Sequence, residues 1–219
     1  MNKDDLESVI DRYNKRLDEF GYSPKSLGWG SGKQNLRFSV LLSQWEINGE
    51  HILDFGCGFG DLYGYCENIG LEIKYEGIDI NQNLVNEGRR RYPNAHIRCS
   101  NLLKEKNPPI YDYIFSSGTH NIPISNNWEF IKQTFDAFNT SSKKGFALNF
   151  VSNKVDFKDK NLFYTDPLRA LELAYKYSNR VVIRNDYMPF EFSIFIYKSN
   201  HYDPKLLVYK EFEELAKES

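Results

Sequence analysis

Three glycines, Gly56, Gly58 and Gly60, alternate in the stretch ILDFGCGFGDLYGYC that begins at Ile52, with Asp54 just before them and Asp61 just after. A backbone that bare lets a ligand approach more closely than side chains would allow. The spacing is G-x-G-x-G, whereas the dinucleotide fingerprint G-x-G-x-x-G needs its third glycine at position 61, which is Asp61. A pyrophosphate would rest on the N-terminus of the following helix, where Asp61 repels it. A ligand without phosphates tolerates an acid there, because the acid favours the helix dipole. A second acid, Asp79, ends the run YEGIDI, 19 residues after Gly60. A carboxylate at that place can accept both hydroxyls of a ribose. Cys57, among the glycines, has no neighbouring base or cation to make a thiolate, and reads as a small residue in a tight turn.

Groups that move protons or hold a second substrate must come from loops at the same end of the strands. His120, in GTHNIP, is the one histidine so placed, as a base, a substrate ligand or a plain loop residue. Asp186 and Tyr187, in the turn RNDYMP, are candidates to bind or deprotonate substrate, although Asp, Asn and Pro also simply make turns. Asn149 and Asn153 are weaker candidates. The four histidines are scattered, so no metal spacing appears. Three cysteines without a C-x-x-C pair suit a reducing cytoplasm better than a disulfide framework.

The elements that must position these groups follow from hydrophobic periodicity. Leu6, Val9, Ile10, Tyr13, Leu17 and Phe20 predict an amphipathic helix over 4–20, and a second helix is expected from about residue 33. From His51, short β-type runs at 51–55, 73–78, 95–98, 112–116, 145–151, 180–184 and 192–197 alternate with helical stretches at 61–69, 82–91, 127–139 and 167–177. This is the β-α-β alternation of a doubly wound, Rossmann-like α/β fold with a seven-stranded, mostly parallel sheet. The last strand must be antiparallel, because RVVIRNDYMPFEFSIFIYK has no room for a crossover helix. Three parts are expected: an N-terminal helical extension or lid over 1–48, a core over 49–200 and a peripheral C-terminal helix over 201–219.

Composition narrows the partners. With 219 residues, 41% of them hydrophobic, the chain has material for one large domain. A net charge of −2 gives no general attraction to nucleic acid or an anionic membrane. No run approaches the ~20 apolar residues that span a bilayer. The acidic N-terminus is not a secretory signal. Arg89, Arg90 and Arg91 suit the end of a helix and a solvated face. The stretch Asn107-Pro108-Pro109-Ile110 precedes its strand and reads as a plain turn rather than a grip for a flipped base.

The set ILDFGCGFG, EGIDI and YDYIFSSGTHN resembles the glycine loop, acidic strand end and fourth strand of class I S-adenosylmethionine-dependent methyltransferases, over roughly residues 50–198. The resemblance implies that Asp54, Gly56, Cys57, Gly58 and Gly60 line the methionine and ribose of the cofactor. It implies that Asp79 holds the ribose hydroxyls and that Ile80 lies against the adenine. Where the family often has an acid near the adenine amine, this chain has Ser100, Asn101 and Leu102, of which Asn101 offers an amide oxygen. Ser116 or Ser117 would lie beside the transferring methyl. The segment LGWGSGKQNLRF is similar to lids in bacterial small-molecule methyltransferases. There Arg37 or Gln34 would meet the cofactor's carboxylate, and Trp29 or Tyr13 would face the sulfonium or acceptor. The insert 152–165 is the other expected wall, with Phe163 and Tyr164 its apolar part. The expected acceptor is the oxygen or nitrogen of a small polar molecule. By analogy with similar bacterial enzymes it is a surface-polysaccharide precursor, such as a nucleotide-linked sugar or a phosphoryl or phosphoramidate group. The rival readings are a nicotinamide-dependent oxidoreductase or epimerase, a non-catalytic cofactor-binding module and a macromolecule methyltransferase.

Overall fold

The computed structural model describes residues 1–29 and 32–217. Gly30 and Ser31 of the expected lid, and the last two residues of the expected tail helix, lie outside the described residues. Seven strands form one sheet: β1 (His51–Phe55), β2 (Lys74–Asp79), β3 (His96–Cys99), β4 (Tyr111–Ser116), β5 (Ser142–Val151), β6 (Val181–Arg184) and β7 (Glu191–Tyr197). Their order is β3-β2-β1-β4-β5-β7-β6. β7 runs antiparallel to both β5 and β6, as the short connection requires. The order reverses at β1, whose neighbours are β2 on one side and β4 on the other. In an open α/β sheet that reversal opens a crevice at the carboxyl ends of the strands.

The helices are α1 (Lys3–Phe20), α2 (Gln34–Leu42), α3 (Asp61–Asn68), α4 (Gln82–Arg91), α5 (Asn127–Ser141), α6 (Pro167–Ala174) and α7 (Glu213–Lys217). Their starts are written locally. The Asn81 side chain accepts from the amides of Asn83 and Leu84 at the start of α4, and Asp166 does the same for Leu168 and Arg169 ahead of Pro167 at the start of α6. None of these helices is long and apolar enough to cross a membrane.

Strand alternation feeds two cores. Leu53, Ile114, Phe146, Leu148, Phe150 and Ile194 face α5 and α6, where Phe130, Ile131, Phe135 and Phe138 recur at helical spacing. Ile52, Tyr113, Phe115, Ala147 and Phe195 face the other layer, with Phe38, Val40, Leu41 and Leu42 of α2. Each fully buried side chain of this size contributes about 1.5–3 kcal/mol by leaving water. Trp45, just after α2, packs on Tyr113 at 5.0 Å and on Tyr197 at 5.1 Å. Residues 34–47 therefore share the sheet's core, and α1, with no buried residue, is the part that lies outside it.

The tail departs from the helix expected over 201–219. A small hairpin, β8 (Tyr202–Asp203) with β9 (Val208–Tyr209), comes first, and only Glu213–Lys217 is α-helical. The hairpin turns at Leu207, whose φ is 57°. Arg180 then stacks on Tyr197 and on Tyr209, at 4.1 and 3.9 Å, and pairs with Glu211 at 3.0 Å.

Candidate active site

The chain leaves β1 through three left-handed glycines, Gly56, Gly58 and Gly60, with φ of +73°, +56° and +80°. A Cβ on Gly56 would run into the Thr119 side chain, and one on Gly58 into Leu27. These are close approaches as well as turns. Asp79, at the end of β2, ties the loop to its own: one oxygen accepts from the Gly58 amide at 2.9 Å and the other from the Asn81 amide at 2.8 Å. Its half-buried carboxylate is thus fixed in orientation before any ligand arrives.

Asp54 is more deeply placed, with 4% of its surface exposed. Its one side-chain hydrogen bond comes from the Tyr75 phenol, at 2.9 Å. Burial pushes its carboxyl up to about 7, against the pull of that hydrogen bond, and the charges of Asp79 and Asp61 add to the rise. Such a group is uncharged below pH 7 in the free protein and is drawn to its ionised form by a cation. A cationic ligand in this cavity therefore binds more weakly at pH 6 than at pH 8, and releases a proton on binding at the lower pH. Titrating S-adenosylmethionine across that range checks this, and Asp54→Asn should flatten the dependence. A flat profile in the unsubstituted protein contradicts it.

The N-terminal segment closes the crevice. The Asn81 amide donates to the Ile10 carbonyl at 3.2 Å and to Asn14 Oδ1 at 2.9 Å. At the other end of α1, the Asp5 carboxylate accepts from Ser125. Asp61 gathers three donors, Tyr22 at 2.7 Å, Tyr92 at 3.1 Å and Gln34 at 3.1 Å. The acid that follows the glycine loop thus ties the N-terminal segment, through Tyr22 and Gln34, to the start of α3. Under it lies a cavity of about 220 Å³ whose wall includes Ile10, Asp54, Gly58, Asp79, Ile80 and Asn101. A second cavity of about 810 Å³ lies between α1, α2, the 152–165 insert and the start of β7. The two share Tyr13, Leu27, Trp29, Gly118 and Ile122 as a common wall. Trp29 sits against Gly118, where φ is +76° and any Cβ would strike the indole. On its other side Arg37 stacks at 4.1 Å.

Most residues singled out for cofactor contact meet at the first cavity: Tyr13, Trp29, Asp54, Gly56, Cys57, Gly58, Asp79, Ile80, Asn101 and Ser117 all line it. Four do not. Gly60 packs against Ile97, Leu102 belongs to the core, and the Ser116 hydroxyl is turned to Thr119 at 3.0 Å. Arg37, 4% exposed, is bound through Nε and Nη2 to Glu191 and lines the second cavity, while Gln34 lines the first. Asn101 spends its amide oxygen on capping Leu103, at 3.1 Å. Cys57 stays an inert thiol, pushed up by burial and then by Asp54 and Asp79.

The three candidates for proton chemistry lie elsewhere. His120 is 1% exposed, held between Phe130 and Phe150 with Nε2 at 3.1 Å from Thr134 Oγ1, and burial lowers its pKa to about 3. It is a neutral core residue outside both cavity walls. Asp186 is exposed and paired with Arg184 at 3.0 Å. Tyr187 turns its hydroxyl to Ser193 at 2.9 Å. Their turn does reach the site, but through the next residues, Pro189, Phe190 and Glu191. Of the insert, Tyr164 lines the second cavity and Phe163 packs on Trp128. Sequence reasoning missed Asn81 and Thr119. Asn81 had a signal, as the N-cap of the helix after Asp79. Thr119 had none, because its hydroxyl is placed by the Phe55 carbonyl, 3.2 Å away and 64 positions distant.

A sheet of this order, with a glycine loop after β1 and a fixed acid after β2, is the architecture of the class I methyltransferases. Residues 52–141 match the family model described as a methyltransferase domain. A Mycobacterium tuberculosis (strain ATCC 25618 / H37Rv) protein named "Putative methyltransferase Rv1506c" is 30% identical over an alignment of 159 residues that covers 68% of this chain and 93% of that protein. The chain belongs to the class I S-adenosylmethionine-dependent methyltransferases. Among solved structures, magnesium protoporphyrin IX methyltransferase (ChlM) from Synechocystis PCC 6803 with bound S-adenosylhomocysteine superposes with a TM-score of 0.65, at 12% identity, over 89% of this chain and 100% of that one. The complex of DhpI with S-adenosylhomocysteine gives a TM-score of 0.66 at 13% identity, over 89% and 97%.

The first cavity fits that cofactor on this chain's own chemistry. Asp54 is a buried carboxylate without a cationic partner, which suits a cationic ligand. Asp79 faces the cavity with fixed acceptors, and Ile80, Leu84 and Leu103 supply apolar surface for an adenine.

Proposed function

We propose that the protein transfers a methyl group to an oxygen or nitrogen of a small polar molecule held in the second cavity, by alignment and without a general base. The observation that carries this is the wall common to the two cavities, which we read as the throat between cofactor and acceptor. Tyr13, Leu27, Trp29, Gly118 and Ile122 include no carboxylate or imidazole, and burial holds the Tyr13 phenol up at about 12. The bound cofactor supplies an electrophilic methyl on a sulfonium. The protein's part is to hold the acceptor in line with it and keep water out. An acceptor that is already nucleophilic, a neutral amine or an anionic oxygen, needs no group to take its proton at the moment of transfer. In this reading Asp79 holds the ribose hydroxyls, Asp54 faces the cationic end, and Trp29 with Tyr13 forms the partition through which the methyl passes.

The finer expectation of a surface-polysaccharide precursor rests on analogy with similar bacterial enzymes. All three cysteines are free, as suits a reducing compartment, and we place the reaction in the cytoplasm.

The test uses S-adenosylmethionine labelled in its methyl group, incubated with a cell extract separated by size. Label transferred to the small-molecule fraction supports the proposal, and label confined to nucleic acid or protein overturns it. His120→Ala should leave the transfer rate within about threefold, since a base normally contributes about 10²–10⁴.

A further inference from the structure

The second cavity is strongly cationic in a chain whose net charge is −2. Its wall holds Arg12, Arg16, Lys33, Arg37 and Lys154 against only Asp156 and Glu191. Structural pairing does not account for this excess. Glu191 is consumed by Arg37. Lys154 has a distant contact with Asp166, at 3.4 Å. Arg16 donates to the backbone carbonyls of Lys25 and Ser26 and meets no carboxylate. Lys33 lies over the Phe190 ring at 5.2 Å and feels the Glu191 charge without pairing with it, and Arg12 forms no ion pair among the described residues.

Arg37 is the buried cation of this wall. Its side chain is 5% exposed, Nε and Nη2 are taken by Glu191, and Nη1 is buried with no hydrogen-bond partner among the described residues. Arg37 is part of the wall of this same cavity and stacks on the Trp29 partition, so the unmade donor stands behind the throat.

We infer that the methyl acceptor carries a phosphoryl group, held as a dianion by Arg12, Lys33 and Lys154 of this wall. The inference rests on the reading of this cavity as the acceptor site and names the chemistry it selects. Guanidinium forks with lysines between them suit a tetrahedral oxyanion, which has enough oxygens to meet donors from several directions. A carboxylate carries one negative charge and two oxygens in a plane, and so meets fewer of these donors than a dianion with three terminal oxygens does. The cations lie on α1, α2 and the insert, whereas the throat is apolar apart from Tyr13. The phosphoryl group therefore anchors the far end of the acceptor and leaves its nucleophilic atom at Trp29. A nucleic-acid strand is a poor match, because the charges line a cavity rather than a surface stripe.

The full-length protein, saturated with S-adenosylhomocysteine, is titrated calorimetrically with phenyl phosphate, benzoate and phenol. Phenyl phosphate is expected to bind saturably and at least about tenfold tighter than benzoate, with no binding of phenol. The variant R12Q/K33M, which breaks no carboxylate pair, is expected to weaken phenyl phosphate by about tenfold or more while S-adenosylhomocysteine affinity stays within about twofold. Phenyl phosphate binding no tighter than benzoate, or untouched by R12Q/K33M, overturns the inference and leaves the methyltransferase reading intact. Failure of the unsubstituted protein to bind S-adenosylhomocysteine overturns both.

Discussion

Asp79→Ala is expected to weaken binding of S-adenosylhomocysteine by about 100-fold, or about 2.7 kcal/mol, without unfolding the protein. Two losses add. The ribose hydroxyls lose a charged acceptor, and each such hydrogen bond is worth about 1.5–3 kcal/mol. The Gly58 and Asn81 amides also lose the carboxylate that holds both loops in place. Asn81 matters beyond its backbone, because its side chain caps α4 and donates to Ile10 and Asn14 of α1. A slack loop there loosens the lid as well as the floor. Asp79→Asn separates the two effects. It keeps a neutral acceptor oxygen for one amide and should lose only about tenfold, since a neutral hydrogen bond is roughly half as strong as a charged one. Calorimetric titration of the three proteins decides the matter. Affinity of Asp79→Ala within about threefold of the unsubstituted protein would mean that Asp79 only organises the turn.

What could be read from the chain was whatever is encoded at short range. Strand alternation, the N-caps Asn81 and Asp166, and Pro167 at the start of α6 fixed the elements to within a few residues. The glycine spacing and Asp79 point to residues that do meet at the first cavity for the same reason, since strand, loop and acid lie within thirty or so positions. His120 shows where that reach ends. Its place after β4 is right, but Gly118 turns with φ +76° and the Thr119 hydroxyl returns to the Phe55 carbonyl. The next side chain is thereby swung into Phe130 and Phe150 instead of the crevice. The tail failed differently. KLLVYKEFEELAKES carries helical periodicity, yet Tyr209 is claimed by Arg180 stacking, a tertiary contact that overrides propensity. The cationic cavity was invisible because its members come from α1, α2 and the insert, scattered along a chain with no basic run at any of them.

Arg37 and Glu191 are 154 positions apart, and their pairing is the largest stability effect we expect from any single change at the site. Glu191 begins β7 opposite Val151 at the end of β5, and Arg37 sits in the buried face of α2. The ion pair therefore bolts the N-terminal layer to β7, an interior strand of the sheet, behind Trp29. Side-chain exposures of 5% and 2% leave neither charge in reach of water. Arg37→Met should cost about 3–5 kcal/mol, because it strands a buried carboxylate, and not because the pair itself is worth that much. The double change R37M/E191M should recover most of the loss, since apolar groups of similar volume replace a buried pair at little net cost. The dependence on pH carries its own sign. Burial already raises the Glu191 carboxyl, and the Arg37 hydrogen bond opposes that rise. Without Arg37 the folded protein binds a proton there more tightly than the unfolded chain does. Stability of Arg37→Met then falls as pH rises from the unfolded carboxylate range towards the raised folded value, so its deficit is larger at pH 8 than at pH 5. Chemical denaturation of the four proteins of the cycle at both pH values measures the coupling. A deficit of Arg37→Met below about 1 kcal/mol at pH 8, with no recovery in the double variant, would show the pair to be open to solvent.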